Sequence, residues 1–225
     1  MIFQLDNTHY DFPDPSYAEE DGLLAVGGDL CTERLLKAYS LGIFPWYNAD
    51  SPILWYAPLD RFVLRPEGVK VSKTMQKLLA KNTFDITFNQ SFDAVIKNCS
   101  NITRKDQDGT WIVDDMQEAY GRLHREGYAH SIEVWQAGAL VGGLYGVLFG
   151  EVFCGESMFA KVSNASKAAL IYLCQNFNIK LIDCQVYTDH LASMGAVEIE
   201  AASFRSYLNN QTFTKNGLQK LFRYS

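Results

Sequence analysis

The second half of the chain has a regular pattern of hydrophobic and polar positions. VDDMQEAYGRLHREG has apolar residues at helical intervals and ends at Gly127, whereas HSIEVWQ and ALVGGLYGVLFG favour two strands joined by an Ala137-Gly138 turn. The following segments predict a strand in EVFCGESMF, a helix in SNASKAALIYLCQNF capped by Ser163 or Asn164, a strand in KLIDCQV, a short helix in DHLASMG and a last strand in AVEIE. This order of elements predicts a mixed α/β (α+β) fold.

The N-terminal segment has shorter elements and many turns. GLLAVGGDL ends in a Gly27-Gly28 turn, TERLLKAYS predicts a short helix, and IFPW and PILWYAP are aromatic clusters bounded by prolines. The composition changes around Arg61–Pro66. We therefore predict a small N-terminal α+β domain over residues 1–64 and a second domain, a mixed sheet with helices on both faces, over residues 65–225.

The composition describes a globular protein. With 48% hydrophobic and 20% charged residues, the 225-residue chain can bury a sizeable core, which excludes disorder, collagen and coiled coil. The longest uncharged stretch, Val134–Gly150, has 17 residues including five glycines, too few apolar residues to span a bilayer. MIFQLDNTHY shows no signal peptide, so we predict a cytoplasmic protein that does not bind membranes.

Neither the cysteines nor the histidines predict a metal or disulfide site. The five cysteines form no CxxC pair, and we expect free thiols. No two of the four histidines have metal-ligand spacing on one helical face, so we predict no bound metal.

The formal net charge of −6 hides an uneven distribution. Residues 1–62 contain ten acidic and three basic residues, whereas Arg65–Lys105 contains eight basic and three acidic residues. An acidic protein with such a segment can still present a cationic surface to a polyanion.

The basic segment also has a geometry. VSKTMQKLLAK predicts a helix capped by Ser72. If that helix extends back to Lys70, then Lys70, Lys73, Lys77 and Lys81 fall within roughly 80° of its circumference. This pattern fits two interpretations, an ordinary amphipathic surface helix or a row of lysines that follows phosphates.

Polar residues interrupt two of the strands predicted for the centre of the sheet. The order of elements resembles that of GNAT acyltransferases, in which two central strands splay apart and leave a substrate cleft. Residues two apart on a strand share a face, so Glu156 should point with Met158, and Asp183 with Gln185. Each carboxylate has a structural explanation, pairing with a lysine or capping a helix. The functional explanation is a cleft in which carboxylates hold and help to deprotonate an amine.

An acyl donor of the coenzyme A type would need its pyrophosphate bound by glycine-rich backbone at a helix start. The chain has no glycine between Glu156 and Met194, so it lacks the usual binding loop for acetyl-CoA. Two tryptophans, Trp46 and Trp111, fit either core packing or flat surfaces on which a base or ring stacks.

An ordered set of short motifs extends from about Phe12 to Ala196: GLLAVGGDL, GIFPW, PILWYAP, GTWI, HSIEVW, LVGGLYGV, GESMF, NASK and LIDCQVYTDHLASMGA. Together they resemble the bacterial leucyl/phenylalanyl-tRNA–protein transferase family. The resemblance implies a GNAT-like fold and the transfer of leucine or phenylalanine from aminoacyl-tRNA to proteins that begin with Arg or Lys, which marks them for degradation. It implies no cofactor. Tyr56 stands where the family commonly has a second Trp, and the sequence beyond Leu208 matches poorly.

The resemblance also implies roles for individual residues. Asp183 and Gln185 match the catalytic pair, and Glu156 of GESMF matches the acidic residue near the reacting amine. The further matches are an apolar pocket of Leu144, Phe153 and Met158, aromatic residues Trp46 and Trp111 near the tRNA 3′ end, and a basic acceptor-stem contact at Lys73, Lys77 and Lys81.

These roles lead to a mechanistic hypothesis with two rivals. We hypothesise that Asp183 polarises Gln185, whose carbonyl orients the attacking amine, and that leucine, phenylalanine and methionine are all accepted as donors. The first rival function is an acyl-CoA-dependent N-acetyltransferase. The second is a non-catalytic RNA-binding module, which would explain the lysines but not the three polar residues in one cleft.

Overall fold

The structure is a computed structural model that describes residues 2–101 and 112–223. The strands in these ranges are β1 Phe3–Leu5, β2 Leu23–Gly27, β3 Phe44–Pro45, β4 Leu54–Tyr56, β5 Asp60–Leu64, β6 Asp85–Phe88, β7 Ala129–Gln136, β8 Ala139–Phe149, β9 Val152–Ala160, β10 Leu181–Gln185 and β11 Val197–Glu200. The α-helices are α1 Thr32–Ser40, α2 Lys73–Ala80, α3 Phe92–Ser100, α4 Asp114–Arg125, α5 Ala165–Asn176, α6 Asp189–Ser193, α7 Ala201–Leu208 and α8 Gly217–Lys220.

A small four-stranded sheet forms the N-terminal part of the molecule. Its strand order is β1-β2-β4-β3, with β1 parallel to β2 and the other pairs antiparallel. Trp55 on β4 is fully buried, and its indole N–H donates to the carbonyl of Gly27 over 2.9 Å. Gly27 and Gly28 have φ of 87° and 72°, a conformation that glycine adopts without strain, which confirms the predicted turn.

The larger sheet has seven strands in the order β11-β5-β10-β9-β8-β7-β6. Among its described pairs, β9 and β10 are parallel and the others are antiparallel, and α5 makes the crossover between β9 and β10. Ala137 and Gly138 form the predicted turn between β7 and β8, with φ of 49° and 77°.

Helices cover both faces of this sheet. Along β8, Tyr145 packs into a core with α3 and α4, whereas Leu144 packs into a second core with α5. Alternating strand residues therefore belong to different cores, as the period of two requires. The predicted mixed α/β fold with helices on both faces is confirmed.

The two central strands separate at their ends. β9 and β10 pair at Leu181–Val152, Ile182–Phe153 and Asp183–Cys154, after which β9 continues along β8 to Ala160. The splay expected of the sheet is therefore present in the structure. It opens a gap beside the residues to which the sequence assigns chemistry.

The predicted division after residue 64 falls next to a strand that the two proposed segments share. β5 (Asp60–Leu64) pairs with β10 and β11 in the larger sheet, so strand pairing would place a boundary between β4 and β5. Residues on both sides of it also belong to one hydrophobic core, which includes Tyr39 and Tyr120. That the two segments are separate domains stays a prediction.

Two helix starts differ in detail from the prediction. Ser72 caps α2, since its hydroxyl accepts the backbone N–H of Met75, but the helix begins at Lys73 and Lys70 lies outside it. Asn164 occupies the N-cap of α5 in a left-handed conformation (φ 71°) with no side-chain capping bond.

Candidate active site

A cavity of about 690 Å³ lies where β9 and β10 separate. It is lined by seven of the residues singled out from the sequence: Trp46, Leu144, Phe153, Glu156, Met158, Asp183 and Gln185. Trp111 lies outside the described residues. Lys73, Lys77 and Lys81 are exposed on and beside α2 and do not line the cavity.

One wall of the cavity is apolar. Leu144 and Met158 are directly opposite each other on β8 and β9, and Phe153 lies further back on β9. Leu170 and Leu173 of α5 complete this wall from the helix side. The wall can bind an apolar side chain of moderate size.

Glu156 sits in a β-bulge. Opposite Tyr145 and Gly146 of β8, strand β9 places Ser157 and Gly155, so Glu156 is the additional residue. The bulge breaks the alternation: Met158 packs on the α5 side, whereas the Glu156 carboxylate bonds side chains from α1 and α4. The prediction that Glu156 and Met158 point the same way is therefore wrong, although both border the cavity.

The Glu156 carboxylate is buried among neutral donors. Its Oε1 accepts the Tyr39 hydroxyl and the Gln185 side-chain N–H, both over 2.8 Å, and its Oε2 accepts the Tyr120 hydroxyl over 3.0 Å. The two tyrosine hydroxyls also bond each other. Burial raises the pKa of Glu156 to about 7, and the nearby Asp183 acts in the same direction, against the three hydrogen bonds. Glu156 therefore changes its protonation near neutral pH.

Asp183 forms a buried ion pair. Its two oxygens accept Nε and Nη2 of Arg61 over 2.7 and 2.6 Å, and both side chains are at most 2% exposed. The guanidinium also lies between the rings of Phe44 and Phe204, 4.7 and 4.6 Å from their centroids. This bidentate geometry fixes the orientation of the carboxylate.

Gln185 connects the two carboxylates. Its backbone N–H donates to Asp183 Oδ1 over 2.9 Å, and its side-chain Nε2 donates to Glu156 Oε1. The strand is irregular here, and Gln185 has a φ of 63°, a conformation that costs a non-glycine residue about 1 kcal/mol or more. The hypothesis that Asp183 polarises the Gln185 side chain therefore needs correction, because Asp183 bonds the backbone of Gln185.

Aromatic and polar residues form the mouth of the cavity. Trp46 is half-buried, and its ring meets Tyr56 edge-on with centroids 5.6 Å apart. Trp46 therefore combines partial packing with a place on the cavity lining, so neither of its two interpretations is excluded. Tyr187 and Asp189 lie further along the rim.

Sequence reasoning did not assign Arg61, Tyr39 and Tyr120 to the site. A buried carboxylate needs donors or a cation, so Glu156 and Asp183 required partners that their own strands do not supply. A charged residue at the start of DRFVL, otherwise a buried strand, was the available signal for Arg61. For the tyrosines, which lie on two amphipathic helices, the sequence offered none.

The described part of the chain contains no group of three or more His, Cys, Asp or Glu residues placed to hold a metal ion. Its helices include none that is both long and apolar enough to cross a membrane. The five cysteines are free thiols.

Comparison with known proteins finds consistent relatives. Residues 28–59 match the model "Leucyl/phenylalanyl-tRNA protein transferase N-terminal domain", and residues 63–209 match "Leucyl/phenylalanyl-tRNA protein transferase". A leucyl/phenylalanyl-tRNA–protein transferase from Syntrophus aciditrophicus (strain SB) is 56% identical over 200 residues, which cover 88% of this chain and 84% of the relative. The protein of the same name from Christiangramia forsetii is 52% identical over 207 residues, which cover 90% and 98%.

Among solved structures the likeness is remote. A GCN5-related N-acetyltransferase from Kribbella flavida is similar with a TM-score of 0.35 and 7% identity, over 71% of this chain and 57% of that one.

Proposed function

This chain belongs to the leucyl/phenylalanyl-tRNA–protein transferase family, and from that premise we propose that it moves leucine, phenylalanine and methionine from aminoacyl-tRNA to proteins that begin with Arg or Lys. The modified proteins are thereby marked for degradation, in the cytoplasm. The observation that carries the proposal is the cavity in which Glu156 and Gln185 meet an apolar wall.

The donor side chain occupies the apolar wall. The aminoacyl ester on the terminal ribose is already activated, so attack by an amine needs no covalent enzyme intermediate. Selection by an apolar pocket depends on volume and shape, and Met158 adapts to several shapes because its side chain is flexible. We therefore expect leucine, phenylalanine and methionine to be accepted, and donors branched at Cβ to be disfavoured by about 10- to 200-fold.

Substitution of Met158 by alanine tests this pocket. We expect the larger space to lower kcat/KM for Leu-tRNA more than for Phe-tRNA, because leucine no longer fills the enlarged space, whereas a larger ring still reaches its walls. The measurement is kcat/KM with Leu-, Phe-, Met- and Ile-tRNA for wild type and Met158→Ala. An equal fall for all four donors would assign Met158 to the fold and not to the pocket.

The acceptor amine binds at Gln185. The Gln185 side-chain N–H is used by Glu156, so its carbonyl oxygen is the atom available to accept an N–H from the amine. An N-terminal amine has a pKa of about 7.7–8.0, so a useful fraction is neutral near pH 7 and only modest base assistance is needed. Much of the rate gain then comes from holding the amine against the ester carbon.

Asp183 and Glu156 have different tasks in this scheme. Asp183, neutralised by Arg61 and bonded to the Gln185 backbone, is a positioning residue that fixes the strained Gln185 conformation. Ionised Glu156 accepts the Gln185 side-chain N–H and increases the negative charge on the Gln185 carbonyl, which favours the ammonium that develops on attack. The proton leaves through this carboxylate, whose pKa of about 7 suits transfer at neutral pH.

The exposed lysines of α2 bind the tRNA. Lys73, Lys77 and Lys81 are spaced four residues apart and lie on one helical face. Within residues 2–101 and 112–223 none of the three has a carboxylate within 4.0 Å, so their charges are free for phosphates.

A Lys73/Lys77/Lys81 triple alanine variant is expected to bind tRNA more weakly and with less salt dependence. Removal of one lysine–phosphate interaction should reduce the slope of log K against log salt by somewhat under one unit, by analogy with about 0.9 for B-DNA. Binding titrations at several salt concentrations measure the slope, and the weakening should be equal for different tRNA sequences. A slope equal to that of wild type would assign these lysines to an ordinary solvated face.

The donor class is tested by calorimetric titration with coenzyme A and with Phe-tRNA. The helix that follows β9 starts at Asn164 and Ala165, without the glycines that bind a pyrophosphate, so we expect no heat of binding with coenzyme A. Phe-tRNA should bind. The reverse outcome would support the N-acetyltransferase alternative.

A further inference from the structure

The mouth of the cavity carries a charge that the transfer step does not use. Asp189, the first residue of α6, lines the cavity and is exposed. The Tyr187 hydroxyl donates to its Oδ1 over 2.8 Å and orients the carboxylate. Its Oδ2 has no hydrogen-bond or ion-pair partner among residues 2–101 and 112–223.

The other acidic residues of the cavity are compensated. Arg61 neutralises Asp183, and Glu156 has three hydrogen-bond donors. None of the described residues that line the cavity is Lys or Arg. Asp189 therefore leaves one unbalanced negative charge at the mouth, which attracts a cation.

The position of Asp189 matches that of an acceptor side chain. Tyr187 and Asp189 follow Gln185 by two and four residues, on the segment that runs from β10 into α6. An acceptor with its amine at Gln185 extends its first side chain along this rim. Arg and Lys carry their charge on a long apolar stem, which keeps the charged group away from the reacting amine.

Tyr187 supplies the apolar part of such a site. Its ring is 55% exposed and is held from one side by Phe62, with ring centroids 5.1 Å apart. An exposed ring beside a carboxylate can pack against the stem and attract the charged group through its π-face. Neither feature requires the fork geometry of a guanidinium, so the site suits an ammonium as well.

We propose that Asp189, oriented by Tyr187, binds the cationic side chain of the acceptor's first residue and sets the preference for basic N-termini. This inference rests on the proposed function, which supplies the acceptor class.

The test compares peptides that differ only in their first residue: arginine, lysine, citrulline and norleucine. Asp189→Asn keeps the shape of the side chain and removes its charge. We expect kcat/KM for the arginine and lysine peptides to fall about tenfold, through KM, and the values for citrulline and norleucine to stay within about twofold. Glu198→Gln is the matched control, because Glu198 is an exposed acid near Tyr187 that does not line the cavity.

Three outcomes decide the matter. A fall confined to the cationic peptides in Asp189→Asn, with Glu198→Gln unchanged, supports the inference. An equal change for all four peptides, or no change, overturns the inference and leaves the proposed function intact. Failure of the wild-type protein to transfer phenylalanine from Phe-tRNA to any of the peptides overturns the proposed function together with this inference.

Discussion

Replacement of Arg61 by methionine is expected to lower the free energy of unfolding by about 3–5 kcal/mol, because it leaves the Asp183 carboxylate buried without a cation. The pair has two short hydrogen bonds and is almost completely removed from solvent. Urea unfolding followed by circular dichroism measures the change. The matched control is Lys180→Met, since the Lys180–Glu151 ion pair is partly exposed at 63% and 34% and should contribute about 1 kcal/mol or less.

The double variant Arg61→Met/Asp183→Leu separates stability from positioning. Removing both charges should restore much of the lost stability, because a buried pair replaced by apolar side chains is often neutral or better. Transfer activity should nevertheless stay below a tenth of wild type, since the Gln185 backbone N–H loses its acceptor. A double variant that is both stable and fully active would show that the ion pair has only a structural role.

Substitution of Glu156 by glutamine is expected to raise stability and to lower activity. The folded-state pKa of about 7 is above the ordinary value of 4.5, so the folded protein binds this proton more tightly than the unfolded chain. The resulting stability is present below pH 4.5 and is lost as the pH rises to about 7, which amounts to about 3 kcal/mol. Glutamine has no charge to bury, so Glu156→Gln should be the more stable protein at pH 8, by up to that amount.

The activity of Glu156→Gln should fall by about 100-fold or more, within the range for loss of a group that accepts a proton. Wild-type kcat should rise with pH through about 7 as Glu156 ionises, and the variant should lack this step. Thermal unfolding at pH 5 and pH 8, together with the pH profile of kcat, measures both effects. A variant that keeps the wild-type pH profile would exclude Glu156 as the proton acceptor.

The core of the fold was predictable because local patterns there agree with the final structure. In β7, β8, α5 and β10 the hydrophobic periodicity, the turns and the glycines indicate the same elements that the structure contains. The helix α3 was not predicted, although Phe92, Val95, Ile96 and Cys99 have helical spacing and are buried.

The site could be predicted only in part, because its geometry depends on contacts between distant segments. Arg61 and Asp183 are separated by 122 residues, and Tyr39 and Glu156 by 117. The residue types at Glu156, Asp183 and Gln185 indicated a cleft, but the irregularities at Glu156 and Gln185 depend on how neighbouring strands pair. A period of two cannot show an additional residue, so the predicted orientation of Glu156 failed there.

The most direct test of the account is the transfer of labelled phenylalanine from Phe-tRNA to a peptide that begins with arginine. Mass spectrometry identifies the bond formed, and the same peptide acetylated at its N-terminus is the control. The account predicts one phenylalanine on the α-amino group of the free peptide, no product with the acetylated peptide and no acetyl transfer from acetyl-CoA. Equal labelling of both peptides, or no labelling with intact Phe-tRNA, would contradict it.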